Sequence, residues 1–147
     1  MERTIKRFDK LTLQELYEIL ALRVSVFVVE QGCPYQEIDG KDPYCYHVFL
    51  RDGDGIQAYL RVADAGVSYD DAPAIGRVIA RRRGCGLGAQ VLAAGIGVAR
   101  TRLHAGKVRI GAQTYARAFY EKAGFRQSTA EYLEDGIPHI GMVLALR

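Results

Sequence analysis

The sequence predicts an α/β domain with a mixed sheet, on three observations. β-prone runs alternate with two helical periodicities, one apolar strand leads directly into a glycine-rich turn and a helix, and no linker or repeat divides the chain. With 147 residues, 49% hydrophobic and 25% charged, residues 1–147 suit a single domain whose core needs no disulfide or structural metal.

Ile5 to Phe8 alternates weakly and is expected to be a short first strand. Thr12 followed by Glu15 forms a capping box, and Leu13, Leu16, Tyr17, Leu20, Val24 and Phe27 then recur every three or four residues, which predicts an amphipathic helix. Gly32, Cys33 and Pro34 end it, and the acidic segment Tyr35 to Tyr44 reads as a long loop. Cys45 to Arg51 and Ile56 to Ala63 are β-prone and flank Asp52-Gly53-Asp54-Gly55, a hairpin turn signal. After a polar turn, Ala74 to Ala80 forms a further strand, and the turn Arg83 to Gly88 opens a helix running to Leu103. Gly95 and Gly97 weaken that helix, so their presence implies close packing against a sheet. Lys107 to Ala112 is a strand, Ala116 to Ala123 a short helix closed by Gly124, and Gln127 to Glu131 with Ile137 to Leu146 a terminal strand pair.

The net charge of +3 hides an asymmetry. Residues 28–75 carry nine acids against three bases, and residues 76–126 carry eleven bases against Glu121 alone. Two readings follow: an uneven solvated surface, or a cationic ligand held by the first stretch and an anionic one by the second. On the second reading the stretch from Glu30 through Asp71 attracts a cationic amine. Nucleic acid is disfavoured, because the basic residues are not interleaved with aromatics. Cys33, Cys45 and Cys85 are odd in number and widely spaced, so free thiols are expected. His47, His104 and His139 are scattered too, and no metal site is expected. Apolar runs such as Val24 to Val29 fall far short of the ~20 residues of a bilayer span. Met1-Glu2-Arg3 leads into no signal-peptide core, so a cytoplasmic protein with no membrane partner is the expectation.

The glycine-rich turn Arg83-Gly84-Cys85-Gly86-Leu87-Gly88 lies between a strand and a helix start. Such a turn exposes backbone N–H groups, and the helix dipole favours a phosphate there. It lacks the Gly-Lys-Ser/Thr of a nucleotide-binding P-loop and the downstream acid of a dinucleotide site. Alone it also fits a plain tight connection.

About thirty residues later comes Ala116-x-x-Phe119-Tyr120-x-x-x-Gly124-Phe125. Arg83-x-x-Gly86-x-Gly88 followed by this block resembles the GNAT family of acyl-CoA N-acyltransferases. Leu22-Arg23-Val24, Val26 to Gln31, Cys33 to Asp42, His47 and Asp135 to Gly141 extend the similarity to its ElaA-like branch. The segment between Ile79 and Arg83 is shorter than the family pattern, and Arg81-Arg82 stands where an acidic or proline-containing turn is usual.

The resemblance implies a GNAT fold, a mixed central sheet of about six to seven strands flanked by helices. It implies acetyl-CoA as acyl donor, with pyrophosphate on the amides of Arg83, Gly84, Cys85, Gly86, Leu87 and Gly88. Val78, Ile79 and Ala80 would pair their main chain with pantetheine, Gln113 would lie near it, and Phe119 would line the cofactor. Tyr120 matches the family tyrosine that protonates the departing thiolate. An amine acceptor would attack the thioester directly, so Cys85 is not expected to be a nucleophile. Glu30, His47 and His139 are the candidate general bases. A CoA-binding interaction domain with little turnover is the alternative, a homodimer stays open, and a nucleotide-binding role for Arg81 to Arg83 is disfavoured.

Overall fold

The computed structural model describes residues 1–147. Its strands are β1 (Glu2–Arg7), β2 (Cys45–Asp52), β3 (Gly55–Ala63), β4 (Ala74–Ala80), β5 (Lys107–Gln113), β6 (Arg126–Gln127), β7 (Tyr132–Glu134) and β8 (Ile137–Ala145). Helix α1 (Leu13–Val24) runs on as a π-helical segment, Ser25–Glu30, and is followed in the chain by α2 (Leu87–Thr101) and α3 (Arg117–Lys122). All eight strands form one mixed sheet in the order β1-β2-β3-β4-β5-β8-β6, with β7 also on β8. Every pairing is antiparallel except that of β4 with β5.

The expected elements are present, with two shifts of boundary. The first strand starts at Glu2, and Phe8 already belongs to a 3₁₀ turn. The expected strand Gln127 to Glu131 is instead two short strands, β6 and β7, sharing one edge of β8. Between them the Thr129 hydroxyl accepts from the Gly141 amide at 2.8 Å, so a side chain replaces a ladder bond. A Cβ on Gly141 would lie 2.7 Å from Thr129 Cγ2, so the glycine makes this crossing possible.

The Thr12–Glu15 capping box forms as expected and starts α1 on one face of the sheet. There Ile19 and Leu22 bury against Phe49, Ile56, Tyr59 and Ile79. On the opposite face, Leu87, Val91, Leu92 and Val98 of α2, with Tyr120 of α3, bury against Val48, Leu60, Val62, Ile75 and Ile110. Gly95 lets α2 approach β3, since a Cβ there would come within 2.8 Å of the Leu60 side chain. Gly97 faces open space and serves no such packing. Strands β2 and β3 are thus covered on both faces, which explains their nearly unbroken apolar character.

Ile75 and Ile79, four residues apart on β4, would share a face in a regular strand, yet they enter opposite cores. The cause is a bulge: Tyr59 pairs with Ile79 and Arg61 with Gly76, so Arg77 and Val78 oppose Leu60 alone. Arg77 takes φ 54°, a left-handed conformation uncommon for a non-glycine residue.

The acidic segment before β2 is firmly tied down. Arg23, with 0% exposure, donates to Glu37 at 2.9 Å and to Asp42 at 2.6 Å. Arg61 on β3 donates to Asp39 at 2.6 Å and to Asp42 at 3.0 Å. Arg77 at the bulge donates to the Glu37 carboxylate, to the Glu37 carbonyl at 2.9 Å and to Asp39 at 3.3 Å. Cys45 closes the segment by donating its thiol to the Lys41 carbonyl at 3.2 Å, and burial pushes that thiol up to about 12.

Burial by itself would raise the Asp39 and Asp42 pKa values, yet hydrogen bonds and charge from Arg61 and Arg23 hold both below the ordinary carboxylate range. A carboxyl depressed on folding stabilises the fold fully above its unfolded pKa of ~4, and that contribution is lost as pH falls through the depressed value. Arg23→Met is therefore expected to destabilise the protein by about 3 kcal/mol at neutral pH, because Arg61 and Arg77 still face the stranded carboxylates. The deficit relative to wild type should shrink on acidification, when those carboxyls protonate. Urea unfolding of both proteins at pH 7 and pH 3 checks this; equal stability at pH 7 would rule out the network as a fold determinant.

Candidate active site

The parallel strands β4 and β5 pair only where Ala74 meets Arg109, then diverge. Beyond the Arg77 bulge they no longer bond, and a cleft of about 1300 Å³ opens between them. Val78, Ile79 and Ala80 form one wall, and Gly111, Ala112 and Gln113 the other. A strand freed from its neighbour presents unpaired backbone groups to whatever enters.

Along β4 the cleft lining continues to Arg81 and Arg83, where the glycine-rich turn begins. Gly84 and Gly86 both take φ 77°, where a side chain is strained, and the space over both is open. Gly86 is the N-cap of α2 and offers no side-chain cap, so the first helical amides are free to bind an anion. Gly88 differs, because a Cβ there would press on the Phe119 ring at 3.3 Å. It is small for internal packing, so the three glycines do not share the expected role. Leu87 is buried in the α2 core, and only its backbone belongs to the turn. Cys85 is exposed, with Sγ 3.5 Å from the Arg82 carbonyl. Arg81 and Arg83 line the cleft outside any ion pair, whereas Arg82 pairs with Asp52 at 2.9 Å.

Tyr120 lines the cleft although only 7% exposed. Its ring is held edge-on between Phe119 and Phe125, at centroid distances of 5.0 and 5.9 Å. Burial raises the phenol pKa, so the hydroxyl stays protonated at neutral pH. Phe119 itself lies behind this wall against Gly88 rather than on the cleft lining. Gln113 lines the cleft and donates across it to Gln31 at 3.4 Å.

The three base candidates part company here. Glu30 lines the cleft from the end of the π-helical segment. His139 lines it from β8, 7% exposed, with Nδ1 2.7 Å from the Ile137 carbonyl and Nε2 3.4 Å from Glu134. His47 lies outside the cleft with 0% exposure. Its Nε2–H donates to the Asp42 carbonyl at 3.0 Å, so Nδ1 accepts from the Tyr59 hydroxyl at 2.8 Å. Burial lowers its pKa and keeps it neutral. His47 is thus corrected from a candidate base to a residue that anchors the loop, with no nitrogen left for a substrate.

Sequence reasoning missed Tyr69, Tyr132 and Glu134, which line the far end of the cleft. A Cβ on Gly111 would lie 2.9 Å from the Tyr132 hydroxyl, so a glycine in the middle of β5 was the available signal. The charge reading also needs correction. Of the nine acids in residues 28–75, six are in ion pairs: Glu37, Asp39, Asp42, Asp52, Asp64 and Asp71. Arg77, Arg82, Lys107 and Arg109 of the basic stretch supply partners for four of them, so part of the acidic charge is met by the basic stretch. The carboxylates left facing the cleft outside arginine or lysine pairs are Glu30, Glu134 and Asp135. No three His, Cys, Asp or Glu side chains are grouped to hold a metal ion, and no helix is long and apolar enough to cross a membrane.

Comparison with known proteins agrees with this geometry. Residues 22–146 match the family model described as an acetyltransferase (GNAT) domain. A crystal structure of an acyl-CoA N-acyltransferase from Pseudomonas aeruginosa superimposes with a TM-score of 0.91 at 41% identity, covering 99% of this chain and 100% of that one. The crystal structure of Escherichia coli ElaA gives 0.90 at 36% identity over 97% and 98% of the two chains. A UPF0039 protein of Schizosaccharomyces pombe is 36% identical over 99% of this chain and 98% of its own. With residues 22–146 matching the family model and relatives this similar along nearly the whole chain, this chain belongs to the GNAT family of acyl-CoA N-acyltransferases.

Proposed function

We propose that this protein transfers the acetyl group of acetyl-CoA to the primary amine of a small molecule or peptide by direct attack, without an acyl-enzyme. The observation that carries this reading is one cleft lined by the free cations Arg81 and Arg83, which lead into the glycine turn and the open N-terminus of α2, by Tyr120, and by Glu30, Glu134 and Asp135. Its two ends differ in charge, which suits an anionic cofactor entering at one and an ammonium ion at the other.

CoA pyrophosphate would sit on the turn amides from Gly84 to Gly88, and the pantetheine arm would pair with the unbonded main chain of Val78 to Ala80. The acceptor loses a proton to a base at the acidic end, Glu30 or His139. Its nitrogen lone pair attacks the thioester carbonyl, a C–N bond forms, and the C–S bond breaks. Tyr120 gives its proton to the leaving thiolate, whose conjugate thiol has a pKa of ~8.5, and so offsets the charge in a poorly solvated site; the second proton, shed by the nitrogen as the amide forms, restores the tyrosine hydroxyl. Cys85 has no part, since its sulfur lies at the phosphate end. The absence of a membrane-length helix is compatible with work in the cytoplasm.

Gly86→Val is expected to weaken CoA binding by about tenfold or more, because the side chain fills the open cradle over the turn. Calorimetric titration with CoA, alongside thermal unfolding, checks it; unchanged affinity in a folded variant would remove the phosphate-turn reading. Tyr120→Phe keeps the aromatic packing and is expected to retain fold and CoA affinity while single-turnover acetyl transfer falls roughly 10²-fold. A transfer rate within about twofold of wild type would end the assignment of Tyr120 as the acid.

A further inference from the structure

We propose that His139 is the general base and that Tyr132 and Glu134, which nothing in the family motifs singles out, are its positioning residues; this rests on the amine-acetylating reading above. The three belong to one hairpin, in which Tyr132 of β7 is the direct cross-strand partner of His139 on β8. On the other edge of β8, His139 pairs with Gln113 at the end of β5, beside the cleft wall.

Ring orientation follows from the partners. A carbonyl can only accept, so the 2.7 Å contact to Ile137 fixes the proton of neutral His139 on Nδ1. Nε2 then carries the lone pair. The Tyr132 ring lies nearly parallel to the imidazole, at 25° with centroids 5.9 Å apart, and limits its rotation. Glu134 stands 3.4 Å from Nε2 and makes no other ion pair, so it stabilises the imidazolium once a proton arrives. The charged and titratable groups around this corner are Glu134 and Asp135 on the hairpin, Cys33 donating to the Asp135 carbonyl, Tyr69 before β4 with Lys41 bonded to the neighbouring Ser68, and Glu30 on the helical segment. Glu30, by contrast, makes no side-chain hydrogen bond that would orient it, and lies in the more exposed part of the π-helical segment.

Gly111 completes the arrangement. Any Cβ at that position would meet the Tyr132 hydroxyl at 2.9 Å, so β5 is bare where the tyrosine crosses it. In the reaction, Nε2 takes one proton from the acceptor ammonium, giving imidazolium and neutral amine. The amine attacks the thioester as described, and the imidazolium returns its proton to solvent at the open end of the cleft.

The test uses the full chain with acetyl-CoA and the best amine from a broad panel. His139→Ala, with His139→Gln as a second variant that keeps an amide N–H for the Ile137 carbonyl, is expected to lose roughly 10²-fold in kcat with CoA affinity unchanged. Added imidazole should restore part of the rate to the alanine variant, which a purely structural histidine would not allow. Tyr132→Ala and Glu134→Gln should each lower kcat about tenfold at constant acetyl-CoA KM. Absence of imidazole rescue in a folded, CoA-binding variant, or a greater loss in Glu30→Gln than in His139→Ala, would overturn the assignment while leaving the acetylation reading intact. If the wild-type chain acetylates no amine at all, that reading falls and the base assignment falls with it.

Discussion

Three arginines and three carboxylates hold the working half of this protein together. Arg23 comes from the first helix, Arg61 from the third strand and Arg77 from the fourth, and all three converge on Glu37, Asp39 and Asp42 in one irregular segment. Charges buried this deeply are tolerated only when paired and hydrogen-bonded, and no buried side-chain nitrogen or oxygen here lacks a partner. The network therefore acts as a constraint of position. It clamps a loop without regular structure of its own against both the helix and the sheet.

That clamp and the cleft are the same device seen from two sides. Arg77 sits in the bulge, and its left-handed backbone is an energetic cost that Glu37 and Asp39 offset. The bulge turns Ile79 to the other core, and β4 bonds β5 only ahead of it, at Ala74. Without it, the two parallel strands could bond along their length and no space would remain for a cofactor. Phe27 and Tyr35 flank the Arg77 guanidinium at 5.9 and 5.6 Å, so the π-helical segment and the loop are drawn onto the same point.

The cleft that results is chemically graded. Two unpaired arginines line it where β4 leads into the glycine turn and the free amides of α2, a buried phenol lines it from α3, and carboxylates and a histidine line it from the β7–β8 hairpin. Most of the protein's remaining charge is spent internally, which leaves these few groups to define what each end attracts.

The sequence alone determined the element order, the capping box, the glycine turn and the Phe119-Tyr120 block, because each is local: a few neighbouring side chains decide helix, strand or turn. It also determined the family, through two motifs whose order and spacing are linear properties. The contacts of the acidic loop, the withdrawal of His47 into the core and the divergent roles of Gly86 and Gly88 depended on residues tens of positions away. The paired β7–β8 hairpin beside the cleft was hidden in the same way: Tyr132 and His139 meet across a register, and Gly111 makes room for them from a third strand. Charge sums and residue types cannot tell a counterion from a ligand site, since that distinction is a distance in space. Only the folded sheet decided it, by laying Arg77, Arg82, Lys107 and Arg109 beside Glu37, Asp39, Asp52 and Asp71.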